Sequence, residues 1–356
     1  GEGTGSTGDV AAEESGTTSV VPTECVPVGW WDVAWGHRRQ LLIDNEDIGE
    51  TLSSFPVLVR LNANRVDYVQ TQDDGADLRF VAADGFTRLD HEIEEWNEQG
   101  DSFVWVRIPE IPEQGTMPPP IMMYFGNDGA ADASAPAGVW SNAYISVHHM
   151  GTMTDSTGTG HDGLPAGGPV PGLGVIGPAT VFDGQDDSVL LPLEGDYDFG
   201  NSMTLEVFFR VESFTSDWQA IVTKGSDAWR LQRNESDDDL AYHTNDGLGA
   251  WGLDGDVSVN DGAWHGAAIS LNSDDKRIFV DGLMRDETLF LFNISENNSP
   301  VMIGGNADEP ARFFHGEIDE VRLSETGRSQ AWLEASYRAM LDQGIVLYGE
   351  PEACAG

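Results

Sequence analysis

The stretch MTLEVFFRV, residues 203–211, is the clearest strand in the chain. It is rich in β-branched and aromatic residues and holds no glycine or proline, a composition that favours β-structure. Asp-Gly pairs, which favour tight turns between antiparallel strands, punctuate the sequence around it at 183–184, 246–247, 254–255, 261–262 and 281–282. Further strands are predicted at 219–223, 229–233, 264–271, 277–281, 300–304 and 317–323.

A second set of strands precedes this region. Phe55, Val57, Val59 and Leu61 alternate with other residues and therefore share one face of a strand. Three more strands are predicted at 77–81, 103–109 and 121–127, with turn signals between them. No long stretch with a helical period interrupts them, which is typical of a β-sandwich.

The predicted organisation is all-β, with two β-sandwich domains. The segments are a low-complexity tail at 1–24, a first sandwich at 25–130, a small-residue linker at 131–139, a second sandwich at 140–350 and a tail at 351–356. One segment, 328–341, has helical spacing of Trp332, Ala335 and Met340, and is predicted to lie as a lid on the second sandwich. A short last strand is expected at 345–348.

The charge of the chain limits its partners. It holds 61 acidic and 18 basic residues, a formal net charge of −43, and its only lysines are Lys224 and Lys276. Nucleic acid and anionic membrane surfaces would repel it. A high-salt or divalent-rich environment and a genome that favours arginine codons explain this composition equally well. No apolar stretch reaches the roughly 20 residues of a membrane span.

The two cysteines, Cys25 and Cys354, bracket nearly all of the chain. A disulfide between them would tie its two ends together in an oxidising compartment, while two unrelated thiols are the alternative. The run Ser19-Val20-Val21 in the tail is short and of strand-like composition. It is a candidate for pairing with the sheet edge of a neighbouring copy.

The second region resembles the LamG-like, concanavalin A-type lectin/glucanase superfamily. The motifs that carry the resemblance are VFDGQDDSV at 181–189, SMTLEVFF at 202–209, DGAWHGAA at 261–268, IFVDG at 278–282, MIGGN at 302–306 and GEIDEVRLS at 316–324. The resemblance implies a jelly roll for this region. It also implies a recognition role, since this fold serves many functions and most such domains bind rather than catalyse.

The first region is similar to an uncharacterised bacterial domain that often precedes LamG in secreted or envelope proteins. The motifs that carry this similarity are HEIEEW at 91–96, VWVRIP at 104–109 and MYFGN at 123–127. This similarity implies a bacterial protein that is secreted or on the cell surface, outside the cytoplasm. It implies no activity.

Glucanases of the superfamily carry a Glu-x-Asp-x-Glu strand, in which alternate carboxylates share one face. Here the strand reads Glu317-Ile318-Asp319-Glu320-Val321, so valine stands where the general acid belongs. Simple alternation places Glu320 on the opposite face. His148 and His149 are likewise expected to face opposite ways. The sequence therefore predicts no catalytic site and a protein that is not an enzyme.

Two kinds of ligand site are expected. The resemblance implies a structural Ca²⁺ ion held by Asp183 and Asp319, since this cation prefers oxygen ligands. Sugar binding requires an exposed aromatic plane, and Trp251, Trp218 and Tyr242 are the candidates because each lies in or beside a predicted loop.

Two functions remain open at this level. The first is an extracellular surface protein whose LamG domain binds a glycan or another protein, with calcium. The second is a structural subunit that polymerises with copies of itself into a fibre or layer through its N-terminal segment. The first is favoured by analogy with other LamG-like domains.

Overall fold

The computed structural model describes Gly1, Gly3 and residues 29–354. The strands are β1 (His37–Ile43), β2 (Leu52–Leu61), β3 (Arg79–Val81), β4 (Arg88–Leu89), β5 (His91–Glu95), β6 (Ser102–Ile111), β7 (Ile121–Phe125), β8 (Tyr144–His148), β9 (Leu164–Ala166), β10 (Val170–Leu173), β11 (Pro178–Asp183), β12 (Ser188–Leu191), β13 (Ser202–Val211), β14 (Ala220–Lys224), β15 (Trp229–Arg233), β16 (Leu240–Asn245), β17 (Ala250–Asp254), β18 (Trp264–Asn272), β19 (Asp275–Val280), β20 (Leu283–Leu289), β21 (Val301–Ile303), β22 (His315–Ser324) and β23 (Val346–Ala353). The α-helices are α1 (Pro136–Val139) and α2 (Gln330–Met340), and two 3-10 helices lie at Tyr68–Gln70 and Glu194–Tyr197. The predicted all-β class is confirmed.

The first sandwich consists of two antiparallel sheets. One has five strands in the order β23-β1-β7-β3-β4, and the other has three in the order β2-β6-β5. Alternation along β6 places Val104 and Val106 on one face and Trp105 on the other, and all three are buried. Both faces of β6 are therefore covered by protein.

The last strand of the chain returns to the first sandwich. β23 pairs antiparallel with β1, from His37 opposite Ala353 to Ile43 opposite Val346. The strand predicted at 345–348 is thus longer in the structure and does not lie in the second sandwich. Its pairing brings both ends of the described chain into one sheet.

The second sandwich consists of an eight-stranded and a seven-stranded sheet. The first runs β10-β11-β22-β13-β18-β19-β20, with β8 also paired to β22, and the second runs β17-β16-β15-β14-β21-β12-β9. Apolar side chains of both sheets, such as Phe209, Trp229 and Ile269, fill the space between them. The strand predicted at 203–211 is β13, a central strand of the larger sheet.

Helix α2 packs between the two sandwiches. Ser329 caps its N-terminus, since Ser329 Oγ accepts the Trp332 backbone N–H at 3.1 Å. Trp332 packs edge-on against Phe55 of β2, with ring centroids 4.7 Å apart, and Tyr337 stacks on Phe208 of β13 at 5.8 Å. The helix predicted to lie as a lid on the second sandwich therefore packs against both sandwiches.

One hydrophobic core crosses the boundary between the sandwiches. It joins Phe55 and Trp105 of the first sandwich to Phe208 and Phe279 of the second, together with Leu333 of α2. These second-sandwich residues lie on the outer face of the eight-stranded sheet, away from its own core. The first sandwich and α2 thus cover a sheet face that would otherwise meet solvent.

The residues predicted for assembly and the predicted partner of Cys354 lie outside the described residues: Ser19, Val20, Val21 and Cys25. Cys354 follows β23, and its backbone N–H donates to the Gly36 carbonyl at 2.8 Å. The Cys25–Cys354 bridge and the exchange of the N-terminal strand stay predictions.

Candidate functional site

An exposed aromatic pair lies at one edge of the second sandwich. Trp251 of β17 is 44% exposed and Phe292, which follows β20, is 45% exposed. Their rings stack with centroids 5.8 Å apart and 27° between the planes. Leu248 and Leu291 are also exposed, at 90% and 67%. We call Leu248, Trp251, Leu291 and Phe292 the Trp251 platform.

The sheet topology explains where the platform lies. β17 is the outer strand of the seven-stranded sheet, and β20 is the outer strand of the eight-stranded sheet. The residues that end these strands therefore meet at an open rim rather than in the core. Phe290 is buried below the rim, with its ring centroid 6.4 Å from that of Trp251, and supports the platform from beneath.

A carboxylate stands at the edge of the platform. Trp251 Nε1 donates to Asp246 Oδ2 at 3.1 Å. The backbone N–H groups of Leu248 and Gly249 donate to Asp246 Oδ1 at 2.8 and 3.0 Å, and these hydrogen bonds lower the pKa of Asp246. An ionised acceptor beside a fixed aromatic plane is a combination suited to a ligand with both apolar and hydroxyl faces.

The structure does not bring Trp218 to this platform. Trp251 is paired with Thr244 across the β16–β17 hairpin, whereas Trp218 packs edge-on against His243 at 5.3 Å. Neighbouring residues of a strand point to opposite faces. Trp218, which is half-buried, therefore lies on the other side of the hairpin from Trp251.

The structure corrects the prediction for Tyr242. Its side chain is 0% exposed and lies in the core of the second sandwich. Lys276 Nζ sits over its ring, 4.4 Å from the centroid. Tyr242 lies in a strand rather than a loop, and a buried ring offers no surface to a ligand.

The structure does not bring Asp183 and Asp319 together, and the predicted calcium ion stays a prediction. Asp183 is opposite His315 in the β11–β22 register, and Asp319 is four residues further along β22, which corresponds to roughly 13 Å of strand. Asp319 Oδ2 already accepts the backbone N–H groups of Val175 and Ile176, at 2.8 and 3.1 Å. The Asp183 carboxylate instead lies near those of Asp186 and Asp187.

A β-bulge in β22 changes which carboxylates meet. Glu206 of β13 is opposite Arg322, but Phe208, two residues on, is opposite Asp319, so β22 holds one extra residue here. Glu320 has a φ of 52°, in the left-handed region. As a result Asp319 and Glu320 both point away from the sandwich core, and the predicted opposite orientation of Glu320 is wrong.

The bulge places Glu320 against a histidine and two carboxylates of the first sandwich. His149 Nδ1 lies 2.6 Å from Glu320 Oε1 and 3.2 Å from Glu94 Oε2. On the other side of the ring, His149 Nε2 lies 3.3 Å from Glu92 Oε2. We call Glu92, Glu94, His149, Asp319 and Glu320 the interface cluster.

Neighbouring side chains fix the first-sandwich carboxylates of the cluster. Trp140 Nε1 and Ser156 Oγ donate to the two oxygens of Glu92, at 2.5 and 2.6 Å. Trp105 Nε1 donates to Glu94 Oε2 at 2.7 Å. Indole and hydroxyl donors therefore hold both glutamates in defined positions.

An arginine fixes the second-sandwich side of the cluster. Arg322 forms an ion pair with Glu320, and its guanidinium carbon lies 4.2 Å from the ring centroid of Trp105. The same carbon lies 5.0 Å from the ring of Trp140. Because arginine pairs with a carboxylate and stacks on aromatic rings at once, it links both sandwiches here.

Burial and mutual charge shift the cluster's ionisation. Burial raises the pKa of Glu94 well above its usual range, and the charge of Glu320 adds to this. Burial likewise raises the pKa of Asp319. For His149, burial alone would lower the pKa, but the three surrounding carboxylates, led by Glu320, raise it well above its ordinary value.

A cleft of about 300 Å³ opens onto the cluster. Its lining residues are Glu92, Ile93, Glu94, His149, Gly151, Thr152, Thr154, Ser156 and Pro178. His149 and Glu94 keep a small exposed fraction there, while Glu320 lies fully buried behind them. Small molecules or ions can therefore reach the histidine from one side only.

Comparison with known families finds matches to two successive parts of the chain. The family described as the concanavalin A-like lectin/glucanases superfamily (Laminin_G_3) matches residues 183–334. The second region is similar to concanavalin A-like domains. A domain of unknown function, DUF2341, matches residues 74–149 and precedes it. Both resemblances found in the sequence are confirmed.

Several solved structures are similar to about half of this chain. Domain 4 of an extracellular GH43 arabinanase from Geobacillus stearothermophilus, in complex with arabinotriose, has 19% identity and a TM-score of 0.45, covering 54% of this chain and 97% of that one. The binding domain of Paraclostridial Mosquitocidal Protein 1 has 14% identity and a TM-score of 0.48, covering 56% and 53%. The binding domain of botulinum neurotoxin serotype D has 10% identity and a TM-score of 0.46, covering 55% and 51%. This chain spans about half of each of these toxin chains, and no curated protein matches it.

The interface cluster draws on both matched families. Glu92, Glu94 and His149 belong to the DUF2341 match, whereas Asp319 and Glu320 belong to the concanavalin A-like match. β8, which ends just before His149, pairs with β22 of the concanavalin A-like domain. The DUF2341 match thus reaches into the sheet of the next domain, and this delivers His149 to Glu320.

Sequence reasoning missed this cluster. One signal was available, because Glu92 and Glu94 alternate on one strand and therefore share a face. The position of His149 beyond the end of β8 and the bulge at Glu320 carry no recognisable pattern. The contacts of His149 with Glu94 and Glu320 depend on the docking of one domain against the other.

No helix among the described residues is long and apolar enough to cross a membrane.

Proposed function

We propose that this protein is a non-catalytic carbohydrate-binding protein that acts outside the cytoplasm. Its concanavalin A-like domain would hold the ligand on the Trp251 platform. The observation that carries the proposal is the stacked, exposed pair of Trp251 and Phe292, with Asp246 at the indole edge.

The chemistry of the platform fits a sugar ring. The C–H face of a pyranose can lie on the indole of Trp251, and its hydroxyl groups can donate to the Asp246 carboxylate. The indole is already fixed by its hydrogen bond to Asp246, so little conformational freedom is lost on binding. The strongly acidic surface elsewhere disfavours anionic polysaccharides, which points to a neutral glycan.

The glucanase alternative finds no support in the geometry. On the outer face of β22, Asp319 accepts backbone N–H groups from the loop of Val175 and Ile176, and Glu317 forms an ion pair with Arg210. Val321 is buried in the sandwich core. Position 321 therefore supplies no carboxyl group beside Asp319 that could act as the general acid of a retaining glycosidase.

Retention on a panel of immobilised neutral polysaccharides tests the proposal. The whole chain should be retained by at least one of them, and Trp251→Ala should lose at least about tenfold in affinity, as expected for an aromatic anchor. Trp218→Ala is the matched control, because Trp218 lies on the other face of the same hairpin. No retention of the whole chain by any polysaccharide, or equal retention of the two folded variants, would contradict the proposal.

A further inference from the structure

Three donor atoms from two domains converge in the interface cluster. They are His149 Nδ1, one oxygen of Glu94 and one oxygen of Glu320, and all lie within 4.8 Å of one another. The spacing of 3.2 Å between His149 Nδ1 and Glu94 Oε2 matches the separation of two ligands on one small metal ion. A single cation between them could contact all three after small side-chain movements.

Each of these donors is oriented by a partner outside the trio. Glu92 faces the second ring nitrogen of His149 at 3.3 Å, Trp105 holds Glu94, and Arg322 holds Glu320. A carboxylate on the far nitrogen of a ligating histidine fixes its tautomer and raises its basicity. The outer contacts therefore leave His149 Nδ1 directed at the two glutamates.

Buried carboxyl oxygens without a hydrogen-bond partner in the interface cluster favour a cation. Among the described residues, Arg322 and His149 are the positive groups of the cluster's ion pairs. They balance Glu92 and Glu320, for which, despite burial, the charge of His149 lowers the pKa. Glu94 Oε1 and Asp319 Oδ1 are buried and have no hydrogen-bond partner among the described residues. A buried oxygen without a partner is costly, and a divalent ion that displaces the carboxyl proton of Glu94 on binding would supply a partner there.

We propose that Glu94, His149 and Glu320 bind a first-row divalent transition metal ion, of which Zn²⁺ is the representative. One imidazole and two carboxylates suit such an ion, whereas Ca²⁺ prefers ligands that are all oxygen. The cleft beside His149 and Glu94 gives the ion an entry path and leaves one side for water.

The site would join the two domains. Glu94 and His149 come from the DUF2341 domain and Glu320 from the concanavalin A-like domain, so the ion bridges their interface. Metal binding and folding are linked when ligands come from separate parts of a structure. The ion should therefore stabilise the docked arrangement. This site lies apart from the Trp251 platform and does not depend on the proposed carbohydrate binding.

Titration with Co²⁺ tests the site directly. The whole chain, freed of metal with a chelator, is titrated in excess Mg²⁺, which occupies weak surface carboxylates. The prediction is one Co²⁺ ion per chain with visible absorption bands, displaced by Zn²⁺. Glu94→Gln and His149→Gln should each weaken binding by at least about tenfold, the scale seen for residues that position metal ligands.

Asp186→Asn is the control, because Asp186 belongs to the exposed carboxylate group around Asp183 and should leave the Co²⁺ spectrum unchanged. Circular dichroism shows whether each variant folds. If His149→Gln does not fold, Glu94→Gln decides, since glutamine keeps the side-chain volume and an acceptor for Trp105. Absence of bound Co²⁺ in the unmodified chain, or unchanged spectra in folded ligand variants, would overturn the proposal.

Discussion

Lys276 is one of two lysines in the chain and is fully buried. Its ammonium group donates to Thr244 Oγ1 and to the Trp251 carbonyl, and no carboxylate lies within ion-pair distance among the described residues. Burial, with a smaller effect of Arg230, lowers its pKa from 10.5 to about 7. Its hydrogen bond to the Trp251 carbonyl therefore links the backbone of the Trp251 platform to the core.

The lowered pKa predicts how stability depends on pH. Between pH 7 and 10 the unfolded chain binds a proton at Lys276 that the folded chain does not, so stability rises with pH. Lys276→Met removes this contribution. The free energy of unfolding should therefore rise more steeply for the unmodified chain, by up to about 4 kcal/mol over this range. Urea denaturation at several pH values measures it, and parallel profiles for the two proteins would contradict the shifted pKa.

Glu320 marks a limit of sequence reasoning at single residues. Strict alternation along β22 separates its side chain from that of Asp319, but the left-handed backbone at Glu320 puts both on one face. The alternation rule fails wherever a bulge inserts a residue. The residue type gives no sign of the bulge, since glutamate rarely adopts the left-handed backbone conformation.

At the scale of elements, α2 explains how the two sandwiches hold together. Its buried face carries Trp332, Leu333, Ala339 and Met340. Trp332 contacts β2 of the first sandwich, and Tyr337 contacts β13 of the second. The helical spacing of these residues was visible in the sequence, but the second contact surface was not, because periodicity shows that a face is buried without showing what covers it.

Truncating a buried side chain of α2 should destabilise both sandwiches together. Trp332→Ala removes a large buried ring and should cost about 3–5 kcal/mol, the usual effect of such a truncation. Glu334→Ala on the same helix is the control and should change stability little. Guanidinium denaturation followed by circular dichroism and by tryptophan fluorescence should give one shared transition in each protein. Two separate transitions in the unmodified chain would show that the sandwiches unfold independently.

At the scale of the whole molecule, charge and the shared core oppose each other. Repulsion among the charges that give a net charge of −43 destabilises the compact state. The hydrophobic core that crosses the domain boundary stabilises it. Salt weakens the first effect, because the Debye length falls from about 10 Å at 0.1 M to about 3 Å at 1 M.

The melting temperature should therefore rise between 0.1 and 1 M salt, about the range over which screening becomes short-ranged. Measuring it in NaCl and in KCl checks that the effect follows ionic strength rather than one ion. A melting temperature that is flat or falls in both salts would show that self-repulsion does not limit stability, and would favour the codon-usage explanation of the composition.

Much of the fold could be predicted from the sequence, because local patterns determine strands and turns. The strand at 203–211, the helix at 328–341 and the concanavalin A-like motifs were recognisable from local composition. The return of β23 to β1 was not, since a short apolar run does not show its partner. Among the predicted site residues Trp251 is exposed on a rim, whereas Tyr242 is buried, and burial of an aromatic ring depends on tertiary packing.

The most direct test of carbohydrate binding is to follow the tryptophan indole N–H signals by NMR while a retained glycan is added. Trp251→Phe assigns the Trp251 signal, and Trp218→Phe assigns that of Trp218. The Trp251 signal should shift with ligand concentration, because its N–H lies at the platform edge beside Asp246, while the Trp218 signal stays in place. Binding that leaves the Trp251 signal unmoved would contradict the assignment of the ligand site to this platform.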